Sequence, residues 1–98
     1  MTPIVLPPLP WGLPVERERR NRIRIAVYAY AYEFHDEALV SDAEYDALAA
    51  SIDPTVTTGH PALDRFFRDH YSPDTGMWIR LHPDLPGINR ISRGFYVQ

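Results

Sequence analysis

The sequence predicts a mainly α fold: a small single-domain helical bundle around an antiparallel helix pair, with a proline-rich N-terminal arm and an irregular or short-hairpin C-terminal part. Three observations carry this expectation. The chain has 98 residues and a hydrophobic fraction of 45%, enough for one modest core and no second lobe. Residues 15–38 place apolar side chains at helical spacing with no turn residue among them. Val40-Ser41-Asp42-Ala43-Glu44-Tyr45-Asp46 then reads as a helix start, with Ser41 at the N-cap, Glu44 at N3 for a capping box and Val40 and Tyr45 placed for a hydrophobic staple.

Taken in order, residues 1–14 form the arm, with Pro3, Pro7, Pro8, Pro10 and Pro14. Proline at this density favours polyproline II over helix. Leu6-Pro7-Pro8-Leu9-Pro10-Trp11 has the composition of a ligand for an SH3 or WW-type groove. The preferred reading has Ile4, Val5, Leu9, Trp11 and Leu13 lying across the body of the same molecule, because a small domain needs every apolar residue it has. Residues 15–98 are the single helical domain. Within 15–38, Ile23, Val27, Tyr30 and Phe34 share one face and Ile25, Tyr28, Tyr32 and His35 a neighbouring one, so burial by more than one partner is expected. The alternation of tyrosine and alanine from 28 to 32 is also strand-like, but the stretch is far longer than a usual strand. Glu16–Arg20 and Glu18–Arg22 are correctly ordered i,i+4 pairs.

The second helix should run from Asp42 to about Ile52, ending at Asp53-Pro54 because the residue before proline avoids the α region. Pro61 suits the first position of a third helix whose apolar stripe is Leu63, Phe66, Phe67 and His70. Ser72-Pro73-Asp74-Thr75-Gly76 is a turn. Met77 to Leu81 reads as a short strand or extended chain, and Ile88, Ile91 and Phe95 as a short last helix broken at Gly94.

Composition excludes more activities than it identifies. Formal charge is −3, which argues against general nucleic-acid binding. The cluster Arg17, Arg19, Arg20, Arg22 and Arg24 reads as a solvated helix start paired with Glu16 and Glu18 rather than as a phosphate track. There is no cysteine, hence no disulfide, zinc-thiolate site or cysteine nucleophile. There is also no lysine, all ten basic residues being arginine. Schiff-base chemistry, lysyl adenylation and a Walker A loop are therefore excluded. His60 and Asp64 are an i,i+4 pair with metal-ligand chemistry, but four scattered histidines need no such explanation and no metal is expected. Ser72 and Ser92 lack an elbow motif, and the expectation is that the protein is not an enzyme. No apolar run approaches the ~20 residues that span a bilayer, and no signal peptide is recognisable, so no membrane partner and a cytoplasmic location are expected.

Tyr30-Ala31-Tyr32, followed ten residues after Tyr32 by Asp42-Ala43-Glu44-Tyr45-Asp46, resembles the small helical N-terminal domain of bacterial NAD-dependent DNA ligases, which receives the nicotinamide mononucleotide half of the cofactor. The resemblance covers roughly residues 20–50. The whole chain is similar to short phage-encoded proteins that carry this ligase-like segment alone, followed by a stretch like Leu63-Asp64-Arg65-Phe66-Phe67, Thr75-Gly76-Met77-Trp78-Ile79 and His82-Pro83. The resemblance implies a nicotinamide contact at Tyr32, and ribose and ring contacts at Asp42, Tyr45 and Asp46. The residue types suit that role, since a cationic ring is attracted to an aromatic face and carboxylates accept hydrogen bonds from ribose hydroxyls. One departure stands out: Glu33 occupies the place where the ligases have histidine directly after the tyrosine, putting an anion near a phosphate. The ligase chemistry itself needs a nucleotidyltransferase domain and a lysine, which this chain lacks.

The expected function is thus non-catalytic binding: a small phage-type accessory or inhibitor protein acting on a host or phage protein, for which no cofactor is required. Its candidate contacts are Trp11, Arg68, Tyr71, Trp78 and Arg80, since Trp, Tyr and Arg dominate interface hot spots. The alternative is binding of nicotinamide mononucleotide or NAD by a stand-alone pocket built from Tyr32, Asp42, Tyr45 and Asp46.

Overall fold

A computed structural model describes residues 13–96. Four α-helices and a short 3-10 helix follow one another: α1 (Pro14–His35), α2 (Asp42–Ser51), α3 (Pro61–His70), the 3-10 helix (Met77–Leu81) and α4 (Leu85–Tyr96). The fold is mainly α, and no strand occurs among the described residues. The arm, including Trp11, lies outside the described residues except for Leu13 and Pro14, and Pro14 belongs to α1.

Pro14 sits in the first turn of α1, where its missing N–H costs nothing. The helix ends where Asp36 adopts a left-handed conformation (φ 54°). The N–H groups of Asp36 and Glu37 then return to the carbonyls of Tyr32 (3.1 Å) and Ala31 (3.0 Å). α1 is the central rod. Ile25, Ala26, Val27, Ala29 and Ala31 are all buried, a set too wide for one stripe, and α4, the 3-10 helix and α2 all pack around it. Here the structure corrects the sequence reading. The alanines, not the tyrosines, form the seam, while Ile23, Tyr32 and Phe34 are exposed. Small side chains let neighbouring helices approach closely, and the bulky rings are displaced to the edges.

The N-cap of α2 forms largely as expected. Ser41 Oγ accepts the Glu44 N–H at 3.1 Å. The second half of the capping box differs, for the Glu44 carboxylate takes the Ser41 hydroxyl at 3.0 Å. α3 buries Phe66 and Phe67.

The C-terminal third departs most from expectation. Met77–Leu81 is a 3-10 helix that buries Trp78 and Ile79. The last helix is twelve residues long and continues through the exposed Gly94. Asp84 starts it by accepting the Gly87 N–H at 3.1 Å, and Tyr30 ties it to α1 by donating to Asn89 at 3.1 Å. The core gathers Ile25, Val27, Phe66, Phe67, Trp78, Ile79 and Ile88.

A buried ionic staple fastens the first half of α1 to the segment between α2 and α3. The Arg22 side chain is 5% exposed. Its Nε donates to Glu18 (2.7 Å) and its Nη1 to Asp64 (2.9 Å), while Nη2 donates to the carbonyls of Asp53 (2.8 Å) and Val56 (3.0 Å). Glu18 in turn accepts the Asp53 N–H at 3.1 Å. Asp64 accepts the Thr58 N–H and hydroxyl, and Arg19 donates to the Thr58 carbonyl. Every charge taken out of water is thereby paired and hydrogen-bonded.

Candidate functional site

The linker and first turn of α2 return against the C-terminal half of α1 and leave a crevice of about 190 Å³. Tyr28, Ala29 and Tyr32 from α1 form one wall, and Leu39, Val40, Asp42 and Tyr45 the other; Asp74, Thr75 and Gly76 close the end. Tyr32, Asp42 and Tyr45, singled out in the sequence, therefore share one cavity. Asp46 does not line it: it stands about 100° further round α2 than Tyr45 and is exposed. The Asp74–Gly76 wall lies outside the ligase-like segment and is a site component that the motif could not reveal. Its turn chemistry was legible in Pro73 and Gly76; its position was not.

Tyr45 is the half-buried member of its wall. A methyl group built on Gly76 would stand 3.5 Å from the Tyr45 hydroxyl and 3.6 Å from Ala29 Cβ, so glycine keeps this end of the crevice open. Burial pushes the Tyr45 phenol above its ordinary value; the neighbouring Trp78 N–H opposes this, and Asp46 and Glu33 add to it. The Trp78 approach falls short of normal hydrogen-bond geometry, and both the Tyr45 hydroxyl and the Trp78 indole nitrogen are buried without a partner among the described residues. Both atoms are closed off from solvent, so Tyr45 offers the crevice its ring rather than its hydroxyl. At the mouth, Tyr32 is 61% exposed and Asp42 is exposed with no ion-pair partner among the described residues. Glu33 faces away from the crevice towards Arg80, at 3.6 Å, and the Arg80 guanidinium also lies 5.8 Å from the centre of the Phe34 ring.

The other candidates are dispersed. Trp78 is core, 4% exposed, with its ring 5.0 Å from Tyr71 and 5.6 Å from Phe67. The Tyr71 hydroxyl donates to the Ala49 carbonyl at 2.8 Å, and burial pushes its phenol up. Trp78 is therefore no surface anchor, and Tyr71 is half-buried with its hydroxyl already engaged. Read as a short strand or extended chain, Met77–Leu81 gave no sign that Trp78 and Ile79 are both buried by a 3-10 helix. Arg68 pairs with its neighbour Asp69 on the surface, and Arg80 remains exposed. Of the arginine cluster, Arg19 and Arg22 turn inward to the staple. Asp64 is taken by Arg22 and Thr58, so it offers His60 no shared metal, and no group of three metal-ligating side chains occurs among the described residues.

A second cavity, about 420 Å³, lies between α1, α3 and α4; Ile23, Leu63, Phe67, Ile88 and Ile91 form its apolar wall. His82 lines it as well. Burial pulls this imidazole below its ordinary value, against the field of Asp84. Its Nδ1 accepts the Asp84 N–H at 3.0 Å, which assigns the proton of the neutral ring to Nε2.

Among the described residues no helix is long and apolar enough to cross a membrane. Compared with family models, curated proteins and solved structures, the chain matches none of them.

Proposed function

We propose that this protein is a non-catalytic binding module whose crevice between α1 and α2 holds the nicotinamide-ribose portion of a nicotinamide nucleotide, such as nicotinamide mononucleotide or NAD. One observation carries the reading: Tyr32, Asp42 and Tyr45, drawn from two helices, line a single cavity. The aromatic walls suit a cationic ring, and Asp42 suits ribose hydroxyls. The cavity is smaller than the ~300 Å³ that encloses a drug-sized ligand, so a head group fills it and the remainder of the ligand stays outside.

The test is titration of nicotinamide mononucleotide into the wild type and two variants. Gly76→Val fills the end of the crevice at a position whose φ is −97° and whose surroundings tolerate a Cβ. Asp42→Ala removes the ribose acceptor. Each is expected to weaken binding by about tenfold or more, or ~1.4 kcal/mol, with an unchanged helical circular dichroism spectrum. Undiminished affinity in a folded Gly76→Val variant contradicts the reading.

A second reading, a protein-binding accessory module, draws on the larger cleft. Its Ile23 and Ile91 are each 45% exposed, an apolar rim that a partner's side chains would cover. An Ile91→Asp variant that retains every interactor of the wild type refutes it.

A further inference from the structure

Resting on the nicotinamide reading, the charge pattern around the crevice makes a sharper statement about which ligand it takes. Among the described residues, the lining contains two carboxylates, Asp42 and Asp74, and no basic side chain. Neither carboxylate is ion-paired among the described residues. Arg80 is paired with Glu33 and lies outside the lining. Tyr28, Tyr32 and Tyr45 supply three aromatic rings to the same walls. Aromatic faces bordered by free carboxylates attract a cation and repel an anion.

We infer that the crevice selects an N-ribosylpyridinium cation without a phosphate: nicotinamide riboside in preference to nicotinamide mononucleotide. Both present the same ring and ribose to Tyr32, Asp42 and Tyr45. They differ in net charge, because the 5′-phosphate adds about −1.5 to −2 at neutral pH. With no arginine or histidine in the lining to receive it, the phosphate lies in the field of Asp42 and Asp74 and weakens binding.

The experiment compares nicotinamide riboside and nicotinamide mononucleotide on the full chain, by amide-shift titration at low and at high salt. The riboside is expected to bind about tenfold more tightly at low ionic strength, with the preference shrinking as salt screens the carboxylates. Asp74→Asn, an exposed change, is expected to narrow the preference without altering the spectrum of the free protein. Equal or tighter binding of the mononucleotide overturns the inference and leaves the nicotinamide reading intact. If neither compound shifts the crevice amides at millimolar concentration, both fall.

Discussion

Replacing Arg22 with methionine is expected to cost about 3–5 kcal/mol of folding stability, a large part of the ~5–15 kcal/mol that holds a domain of this size together. The guanidinium is 5% exposed and lies between Glu18 and Asp64, whose side chains are 7% and 17% exposed. Methionine fills similar volume but leaves both carboxylates without a countercharge and the carbonyls of Asp53 and Val56 without their donor. Removing all three charges together restores only part of the loss, because Glu18 also serves the Asp53 N–H and Asp64 serves Thr58. Urea denaturation of Arg22→Met reads the effect as a lowered midpoint; a midpoint within error of the wild type contradicts it.

The same staple gives the fold an acid limit with a definite sign. Burial, the largest single influence, works against ionisation of Asp64, but the Thr58 hydroxyl and N–H and the Arg22 guanidinium together outweigh it and hold the carboxyl below its ordinary value of 3.8. A carboxyl depressed in the folded state binds fewer protons there than in the unfolded chain. Its contribution is complete above 3.8 and is lost as pH falls through the lower folded value. Stability therefore declines on acidification through that range, and the decline is smaller in an Asp64→Asn variant.

Phe67→Ala is the second large effect, at about 3–5 kcal/mol. The ring is 2% exposed and sits 5.3 Å from Phe66, 5.6 Å from Tyr71 and 5.6 Å from Trp78, centre to centre. Truncation opens a cavity where α3, the 3-10 helix and α1 meet. It also strips the Arg22 guanidinium of the aromatic face 5.0 Å away. The two sites are therefore coupled, and a double-mutant cycle between Phe67→Leu and Arg22→Met should depart from additivity by ~0.5 kcal/mol or more. Additive losses would show that ring and guanidinium act independently.

What could be read from the sequence follows the range of the interactions that decide it. The start of α2 rests on neighbours three residues apart, so Ser41 and Glu44 announced it correctly. The length of α1 was legible for the same reason. Its buried face was legible only in part, because that depends on which partners surround it: Ile25 and Val27 are core as expected, but Ala26, Ala29 and Ala31 complete the face while Ile23, Tyr32 and Phe34 stay exposed. Glu18–Arg22 was visible as an i,i+4 pair, but nothing local reveals that α3 delivers Asp64 to the same guanidinium. The glycines and prolines of 83–94 made the last helix read as short and broken at Gly94; it runs from Leu85 to Tyr96, where packing against α1 overrides weak helix propensity. In the crevice, the spacing of Tyr32, Asp42 and Tyr45 was informative; Asp46, grouped with them through the ligase resemblance, stands outside the lining, and the Asp74–Gly76 wall arrives from far along the chain.

The central claim is that a pyridinium ring sits between α1 and α2. Intermolecular nuclear Overhauser effects test it most directly, recorded from the ring protons of nicotinamide riboside or mononucleotide at saturating concentration. Contacts are expected to the rings of Tyr32 and Tyr45 and to the α-protons of Gly76. Contacts confined to the Ile23–Ile91 cleft, or none to any residue, would contradict it.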